Sequence, residues 1–209
     1  INSSTNTING GDIIIWASND NSKVNISQSV IARNTLARSN NGVFYAQKGT
    51  TNVECSAIFD NKLANGNNAS LISGSLITAE NNYWGTNERP DSKVSKWVIL
   101  TADAPEMAFV GVSEAIPIHL NTYNTTAGET GAVEGMPDVT LGVEYTLNND
   151  NPATVTITNG AGTIDYLARL DGNETVTLSS GDSFTFKVNA DVSTLIYVDA
   201  SAETSGTGT

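Results

Sequence analysis

Hydrophobic and polar residues alternate in short runs along this chain, as at Val24, Ile26 and Val30. A period of two places alternate side chains on opposite faces of a β-strand, whereas a helix would need a period near 3.6. Clusters rich in Asn and Gly interrupt the runs at residues 39–42 and 65–68, where they indicate turns. The pattern therefore predicts an all-β protein.

The first ninety residues contain an internal repeat. Residues 25–47 align without a gap with residues 52–74, a weaker copy precedes them at residues 11–17, and a shortened copy follows at residues 76–84. Identical pairs are Asn25/Asn52, Ser29/Ser56, Ile31/Ile58, Asn34/Asn61, Leu36/Leu63, Ala37/Ala64, Asn40/Asn67 and Asn41/Asn68, and Phe44/Leu71 keeps its apolar character. Repeats of this length built from short strands are typical of a parallel β-helix, so we expect about three coils.

Stacked coils would place equivalent residues about 4.8 Å apart. Asn34 and Asn61 would then form an amide ladder, and Arg33 would lie over Asp60 on an outer face. The pairs expected to fill the interior are Ile31/Ile58 and Leu36/Leu63. An end coil exposes strand edges, so self-association through such edges is a further expectation.

The residues at the end of the repeat resemble a known family. An Asn-Asn-aromatic-Trp-Gly motif spans residues 81–85, and a strand led by Trp97 follows at residues 96–100. Together they resemble the adhesin-like surface proteins of methanogenic archaea, in which pectate-lyase-like β-helix repeats precede immunoglobulin-like modules similar to invasin and intimin repeats. One departure is Tyr83 in place of the first residue of the usual double Trp.

The resemblance implies a fold and a role. The fold would be the C-terminal coils of a right-handed parallel β-helix followed by an immunoglobulin-like antiparallel β-sandwich. The expected domains are residues 1–95, residues 96–200, and a linker at residues 201–209. The implied role is attachment to other cells or surfaces, at an extracellular, cell-surface location. No catalytic motif of the family maps onto this sequence.

The second half predicts a sandwich in its own right, because Gly, Asn and Asp separate about nine alternating segments in roughly 110 residues. The predicted strands are residues 97–101, 107–110, 116–122, 139–147, 153–158, 163–167, 174–178, 183–188 and 194–198. The polar segment 121–138 is expected to form a long mobile loop, either a binding loop or a flexible connector. Lys187 alternates with Phe186 and Val188, so it is expected to face solvent rather than form a Lys–Asn isopeptide cross-link.

Composition excludes several function classes. The net charge of −12 argues against a nucleic-acid partner, since phosphate binding needs clustered Lys and Arg.

The sequence has one cysteine, Cys55, which is expected to occupy an inward strand position. Its one histidine, His119, lies far away in the other predicted domain. No metal site or cofactor is expected. No apolar run is long enough to cross a membrane, and we interpret the chain as an internal fragment or a mature product.

The function predicted from the sequence is non-catalytic adhesion. The partner would be a surface glycan or a protein of another cell, with Trp16, Tyr45 and Tyr83 as candidate contacts. Candidate glycosylation sites are the sequons at Asn2, Asn25, Asn68, Asn124 and Asn173. Two alternatives remain: the C-terminal part of a β-helix polysaccharide lyase or hydrolase, and a structural subunit of a surface layer or filament.

Overall fold

A computed structural model describes residues 15–17, 19–36, 42–46, 48–67, 72–74 and 76–190. Within these ranges the chain forms twenty β-strands and no helix, which confirms the all-β class. Asn2, Asn68, the predicted strand at residues 194–198 and the tail at residues 201–209 lie outside the described ranges.

The first eleven strands are short and pair in parallel. They are β1 (Ile15–Ala17), β2 (Lys23–Ser27), β3 (Val30–Ala32), β4 (Thr35–Leu36), β5 (Phe44–Ala46), β6 (Thr50–Glu54), β7 (Ala57–Phe59), β8 (Lys62–Leu63), β9 (Ile72–Ser73), β10 (Ile77–Glu80) and β11 (Asn82–Tyr83). Four parallel ladders result: β1–β5–β9, β2–β6–β10, β3–β7–β11 and β4–β8. Each strand therefore lies beside its equivalent in the next repeat, as the sequence predicts.

The strand register confirms the predicted stacking. Residues that lie opposite one another are Asn25 and Asn52, Ile31 and Ile58, and Leu36 and Leu63. One prediction is off by a position, because Phe44 lies opposite Ile72 rather than Leu71. Between these two ladders the second repeat is one residue longer than the first, since Leu36 lies opposite Leu63 and Phe44 opposite Ile72.

Two corners recur at equivalent positions of successive repeats. Gln28, Cys55 and Asn81 adopt φ angles of 47°, 45° and 57°, and Arg33 and Asp60 adopt 59° and 51°. This left-handed conformation is uncommon for residues other than Gly, and a single such residue bends an extended chain sharply. The sequence folds into stacked turns because one residue at each corner accepts this conformation.

The predicted inward position of Cys55 is wrong, because β6 ends at Glu54 and the chain bends at Cys55. Val53 and Ala57 on either side are fully buried, while the cysteine is partly exposed at the corner. Burial raises the pKa of its thiol, and the neighbouring Glu54 carboxylate adds to the shift. Both effects favour the uncharged thiol, which is the less reactive form.

Buried polar side chains follow each corner and bond between repeats. Asn34 Nδ2 donates to Asn61 Oδ1 at 2.8 Å, which confirms the predicted amide ladder. At the other corner the backbone N of Ser29 donates to Ser56 Oγ at 3.2 Å, and the backbone N of Ser56 donates to Asn82 Oδ1 at 2.9 Å. These bonds satisfy backbone groups that the bends remove from the strand ladders.

The predicted charge pair of Arg33 and Asp60 is replaced by other contacts. Asp60 instead lies 3.1 Å from Lys62 Nζ. Arg33 Nη2 donates to the Thr140 carbonyl at 3.3 Å, and its guanidinium lies 6.0 Å from the centre of the Phe59 ring. The arginine side chain therefore hydrogen-bonds the C-terminal region and lies over Phe59 of the next repeat instead of pairing with Asp60.

The second half forms longer, mainly antiparallel strands. They are β12 (Lys96–Ala102), β13 (Met107–Phe109), β14 (Ser113–Thr125), β15 (Thr130–Ala132), β16 (Val139–Tyr145), β17 (Thr154–Ile157), β18 (Ala161–Leu167), β19 (Gly172–Leu178) and β20 (Ser183–Asn189). Every predicted strand within the described ranges is present. One sheet has the order β13–β20–β19–β16–β17, while β18 pairs with β14 in the other.

β12 joins the two halves in a single sheet of order β15–β14–β12–β11–β7–β3. On one side β12 pairs in parallel with β11, with Val98 opposite Tyr83. On its other side it pairs antiparallel with β14, with Val98 opposite Tyr123. The stacked strands of the repeat region (residues 15–95) therefore continue directly into the C-terminal region (residues 96–190).

Alternate side chains of this shared sheet enter two different hydrophobic clusters. Ile31, Ile58 and Trp97 belong to a cluster inside the stacked repeats, which we call the repeat core. Phe59 and Val98 point the other way into the C-terminal core. That core also contains Ile116, Ile118, Leu141, Ile157, Ile164, Tyr166 and Leu178. One sheet thus closes the repeat core with one face and supports the C-terminal core with the other.

The mobile loop predicted at residues 121–138 is wrong for much of its length. β14 continues to Thr125 and forms a hairpin with β15. Val133 and Met136 then bury their side chains in the C-terminal core, with 9% and 5% exposed. Gly135 within this segment adopts φ of +76°, a backbone conformation that residues with a side chain rarely adopt.

Candidate functional site

The three predicted aromatic contacts occupy different environments. Trp16 and Tyr45 lie opposite one another on β1 and β5. Tyr45 is half-buried between the buried Phe44 and Ala46, whereas the side chain of Trp16 lies outside the described part of the structure. Tyr83 is 0% exposed, so its assignment as a surface contact needs correction. Both aromatic residues of the motif at the end of the repeat point inward, Tyr83 into the C-terminal core and Trp84 into the repeat core.

Tyr83 instead links the two halves of the molecule. Its hydroxyl donates a hydrogen bond to Asp182 Oδ2, 99 residues away. Asp182 also accepts from Ser180 Oγ at 3.1 Å. Burial, followed by the adjacent Asp182 carboxylate, raises the pKa of the phenol far above its usual value. Tyr83 therefore remains a neutral donor, as this hydrogen bond requires.

A cleft of about 700 Å³ opens where the two halves meet. Three segments line it: residues 58–62 of the second repeat, the junction loop between residues 84 and 91, and the turn 179–181 between β19 and β20. Binding sites for small ligands commonly occupy about 300–1,000 Å³ and lie between structural units. The cleft is therefore a candidate binding site, and neither the aromatic motif nor the repeat period indicates it.

Charged side chains of both signs line the cleft. Asp60 and Lys62 form the 3.1 Å ion pair at one wall. Arg89 donates from Nε to the Val94 carbonyl at 2.7 Å, and it also bonds the Ser92 carbonyl, so it holds the junction loop in shape. These donors and acceptors could not be grouped from the sequence, since more than one hundred residues separate the outermost of them.

The floor of the cleft is the junction of Trp84 and Gly85. Trp84 is 4% exposed and meets Phe44 of the repeat core edge-on, with ring centres 6.1 Å apart. Gly85 has φ of +72°, and a Cβ there would lie 2.7 Å from Phe59 Cβ. Among the described residues nothing accepts from Trp84 Nε1, and an unpaired buried donor costs about 1–3 kcal/mol.

A buried carboxylate forms a separate polar centre in the C-terminal core. Glu174 is 0% exposed, and its Oε2 accepts from Asn148 Nδ2 and Tyr166 Oη, each at 2.9 Å. Burial alone would raise its pKa, but these bonds and those from the backbone N of Leu147 and Asn148 outweigh it, so the pKa is lowered. This centre is fully bonded and closed, which indicates a structural role.

The buried centre around Glu174 does not contain the lysine amine that a Lys–Asn isopeptide cross-link would need. Lys187 is exposed, as expected, and lies opposite Asn173 on the neighbouring strand. Asn148 and Glu174 supply a buried amide beside an acid, but their third partner is Tyr166 Oη, which accepts from Asn148 Nδ2 at 2.6 Å. A phenol cannot supply the amine that an isopeptide bond needs.

Three of the five sequons lie in described segments. Asn25 and Asn173 are exposed on strands β2 and β19. Asn124 is half-buried, and its Oδ1 accepts from the backbone N of Thr125 at 2.9 Å. Asn25 and Asn173 are therefore the better acceptors for a glycan on steric grounds.

The described part of the chain shows neither a cluster of metal ligands nor a membrane-spanning helix. Within the described ranges, no three His, Cys, Asp or Glu residues group closely enough to hold a metal ion. In the same part of the chain, no helix has the length and apolar character needed to cross a membrane.

Comparison of the whole chain with protein-family models, with curated proteins and with solved structures finds no match to any of them.

Proposed function

We propose that this chain is part of an extracellular surface protein that attaches its cell to other cells or to surface glycans without catalysis. In this proposal the stacked strands are the last coils of a right-handed parallel β-helix, and the C-terminal region is an immunoglobulin-like sandwich. The resemblance of residues 81–85 and 96–100 to adhesin-like archaeal proteins supports the same role.

The shared sheet is the observation that carries the proposal. Attachment transmits force between a distant contact and the cell surface, and a flexible linker between modules would let them move independently. Here β12 contributes Trp97 to the repeat core and Val98 to the C-terminal core. The two regions are joined by ladder hydrogen bonds and by packing, which suits a stiff stalk that presents a binding surface.

The titratable groups with shifted pKa values support a non-catalytic role. Such shifts often mark active sites. Three of the five such groups among the described residues are Tyr83, Tyr166 and Glu174, which lie inside the C-terminal core, where each is 0% exposed and hydrogen-bonded. The other two are Cys55 and Tyr145. Their pKa values follow from packing the core, and none of them lines the cleft.

An attachment assay tests the proposal. Beads coated with the chain should retain cells, or immobilised surface polysaccharide, under flow, and soluble chain added in excess should compete. Beads coated with heat-unfolded chain are the matched control. No retention above that control on any surface would contradict the proposal.

Two further measurements address the alternatives. Incubation with polysaccharides, with and without calcium, should release no unsaturated or reducing products, whereas product release would favour a lyase or hydrolase. Electron microscopy of the purified chain should show single particles, whereas ordered filaments would favour a structural subunit that pairs through its strand edges.

A further inference from the structure

We infer that the cleft between the repeat region and the C-terminal region binds an uncharged sugar chain. The inference deepens the proposed function, on which it rests for its biological meaning, by naming the site and the ligand class. The cleft is open to solvent and is lined by residues of both halves, residues 58–62 and 84–91 on one side and residues 179–181 on the other.

The chemistry of the lining favours hydroxyl groups as partners. Carboxylates accept hydrogen bonds from neighbouring hydroxyls, and ammonium and hydroxyl groups donate to them in turn. The cleft offers Asp60 and Asp91 as half-buried acceptors and Lys62 as an exposed donor, with Ser179 and Ser180 at the opposite wall. A polyol ring matches this mixture of donors and acceptors on two sides.

The charge of the cleft argues against an anionic ligand. Three acidic and two basic residues line it, and the whole chain carries −12. The basic groups are also engaged, since Lys62 pairs with Asp60 and Arg89 bonds backbone carbonyls. A phosphate or a uronate would meet no unpaired cation among these residues. A divalent cation also lacks a site, because within the described ranges the acidic groups do not converge.

The walls of the cleft are held in place before a ligand arrives. Gly142 N donates to Ser179 Oγ at 2.9 Å, which fixes the turn at one wall. Arg89 fixes the junction loop, and Asp91 Oδ1 caps that loop by accepting from the backbone N of Lys93 at 2.9 Å. A preformed site loses less conformational entropy on binding, so modest contacts give measurable affinity.

Titration with defined oligosaccharides tests the inference. Neutral gluco-, manno-, galacto- and xylo-oligosaccharides, anionic oligogalacturonate and cationic chitosan oligomers would be added to the ¹⁵N-labelled chain. At least one neutral series should shift the amide signals of Gly85 and Gly181 and the indole signal of Trp84, with oligogalacturonate binding at least tenfold more weakly.

A matched pair of double variants locates the site. D60A/K62A removes the ion pair at the cleft wall and should weaken binding at least tenfold. D20A/K48A removes an exposed Asp–Lys pair of the same kind outside the cleft, with 4.0 Å between its charged atoms, and should leave binding unchanged. Thermal unfolding of both variants checks that each is folded.

The outcomes separate this inference from the proposed function. No shift with any neutral series, preferred binding of an anionic or cationic series, or equal binding by both double variants would overturn the inference. Retention of cells by D60A/K62A beads at the wild-type level, together with unchanged sugar binding by this variant, would overturn the inference and leave adhesion standing. Sugar binding at the cleft without any retention of cells would support the inference and contradict adhesion.

Discussion

Trp97 and Val98 are neighbours on β12, yet their side chains lie in different hydrophobic cores. Trp97 packs in the repeat core with 6% of its surface exposed, and Val98 is fully buried in the C-terminal core. Because successive side chains of a β-strand point to opposite faces of the sheet, these two adjacent residues connect the repeat core with the C-terminal core. The boundary expected near residue 95 coincides with the strand that joins the halves.

This coupling predicts that the two halves unfold together. I118A removes a fully buried side chain from the C-terminal core and should cost about 2–5 kcal/mol. Both described tryptophan side chains, Trp84 and Trp97, lie in the repeat core. Tryptophan fluorescence and far-UV circular dichroism should therefore show the same lowered midpoint in urea.

I58A, which opens a cavity in the repeat core, is the reciprocal variant and should give coincident transitions as well. V112A changes an exposed side chain and should alter stability by less than about 0.5 kcal/mol. A fluorescence midpoint that stays at the wild-type value in I118A would mean that the halves unfold independently.

The amide ladder predicts a large effect from one buried asparagine. N61A would remove the bonds of Asn61 to Asn34 Nδ2, to the backbone N of Asn34 and to the Ile31 carbonyl, and only Asn34 Nδ2 keeps another partner, the Ala32 carbonyl. The two groups left unpaired should cost about 2–4 kcal/mol. Urea unfolding would measure the loss. N25A, at an exposed position of β2, is the control and should be nearly neutral. Equal effects of the two substitutions would show that the ladder contributes nothing.

Glu174 predicts acid sensitivity of the fold. Its folded pKa is lowered, so its contribution is complete above the unfolded pKa of about 4.3 and is lost as pH falls through the folded pKa. E174Q should cost about 2–4 kcal/mol at pH 7 because an amide meets the backbone donors. In E174Q the free energy of unfolding should also decrease less steeply than in the wild type as the pH is lowered from about 5 to about 2.

The free energy of unfolding across this range, from urea titrations at each pH, would measure the effect. E129Q changes an exposed glutamate on the β14–β15 turn and should keep the wild-type pH profile. The role assigned to Glu174 would be refuted by an E174Q profile as steep as that of the wild type.

The bond between Tyr83 and Asp182 predicts measurable coupling across the junction. Y83F should cost about 1–3 kcal/mol, since it leaves the Asp182 carboxylate with one fewer donor. In a double-mutant cycle with D182N the two losses should be less than additive. Y145F, which removes a bond to the Pro152 carbonyl within the C-terminal region, should add independently to D182N.

Much of the fold follows from the sequence because strand periodicity and repeat spacing are local signals. The 27-residue offset gives the register of Asn34 on Asn61, and alternation locates each predicted strand of the C-terminal region within the described ranges. Cys55 departs from its predicted position because alternation does not reveal a corner. The backbone conformation there is set by the stack, which places Gln28 and Asn81 in the same bend.

The cleft and the inward turn of Tyr83 depend on contacts far apart in sequence. Asp182 meets Tyr83 across 99 residues, and no pattern near either residue indicates the pairing. The loop predicted at residues 121–138 has the same explanation, since its small and polar residues indicate mobility until Val133 and Met136 find the C-terminal core. Tertiary packing decides all three cases.

Nuclear Overhauser contacts of Val98 in the folded chain test the shared sheet most directly. Val98 should show parallel-strand contacts to Tyr83 on one side and antiparallel-strand contacts to Tyr123 on the other. Contacts to Tyr123 without any to Tyr83 would mean that β12 belongs to the C-terminal region alone and that the two halves share no sheet.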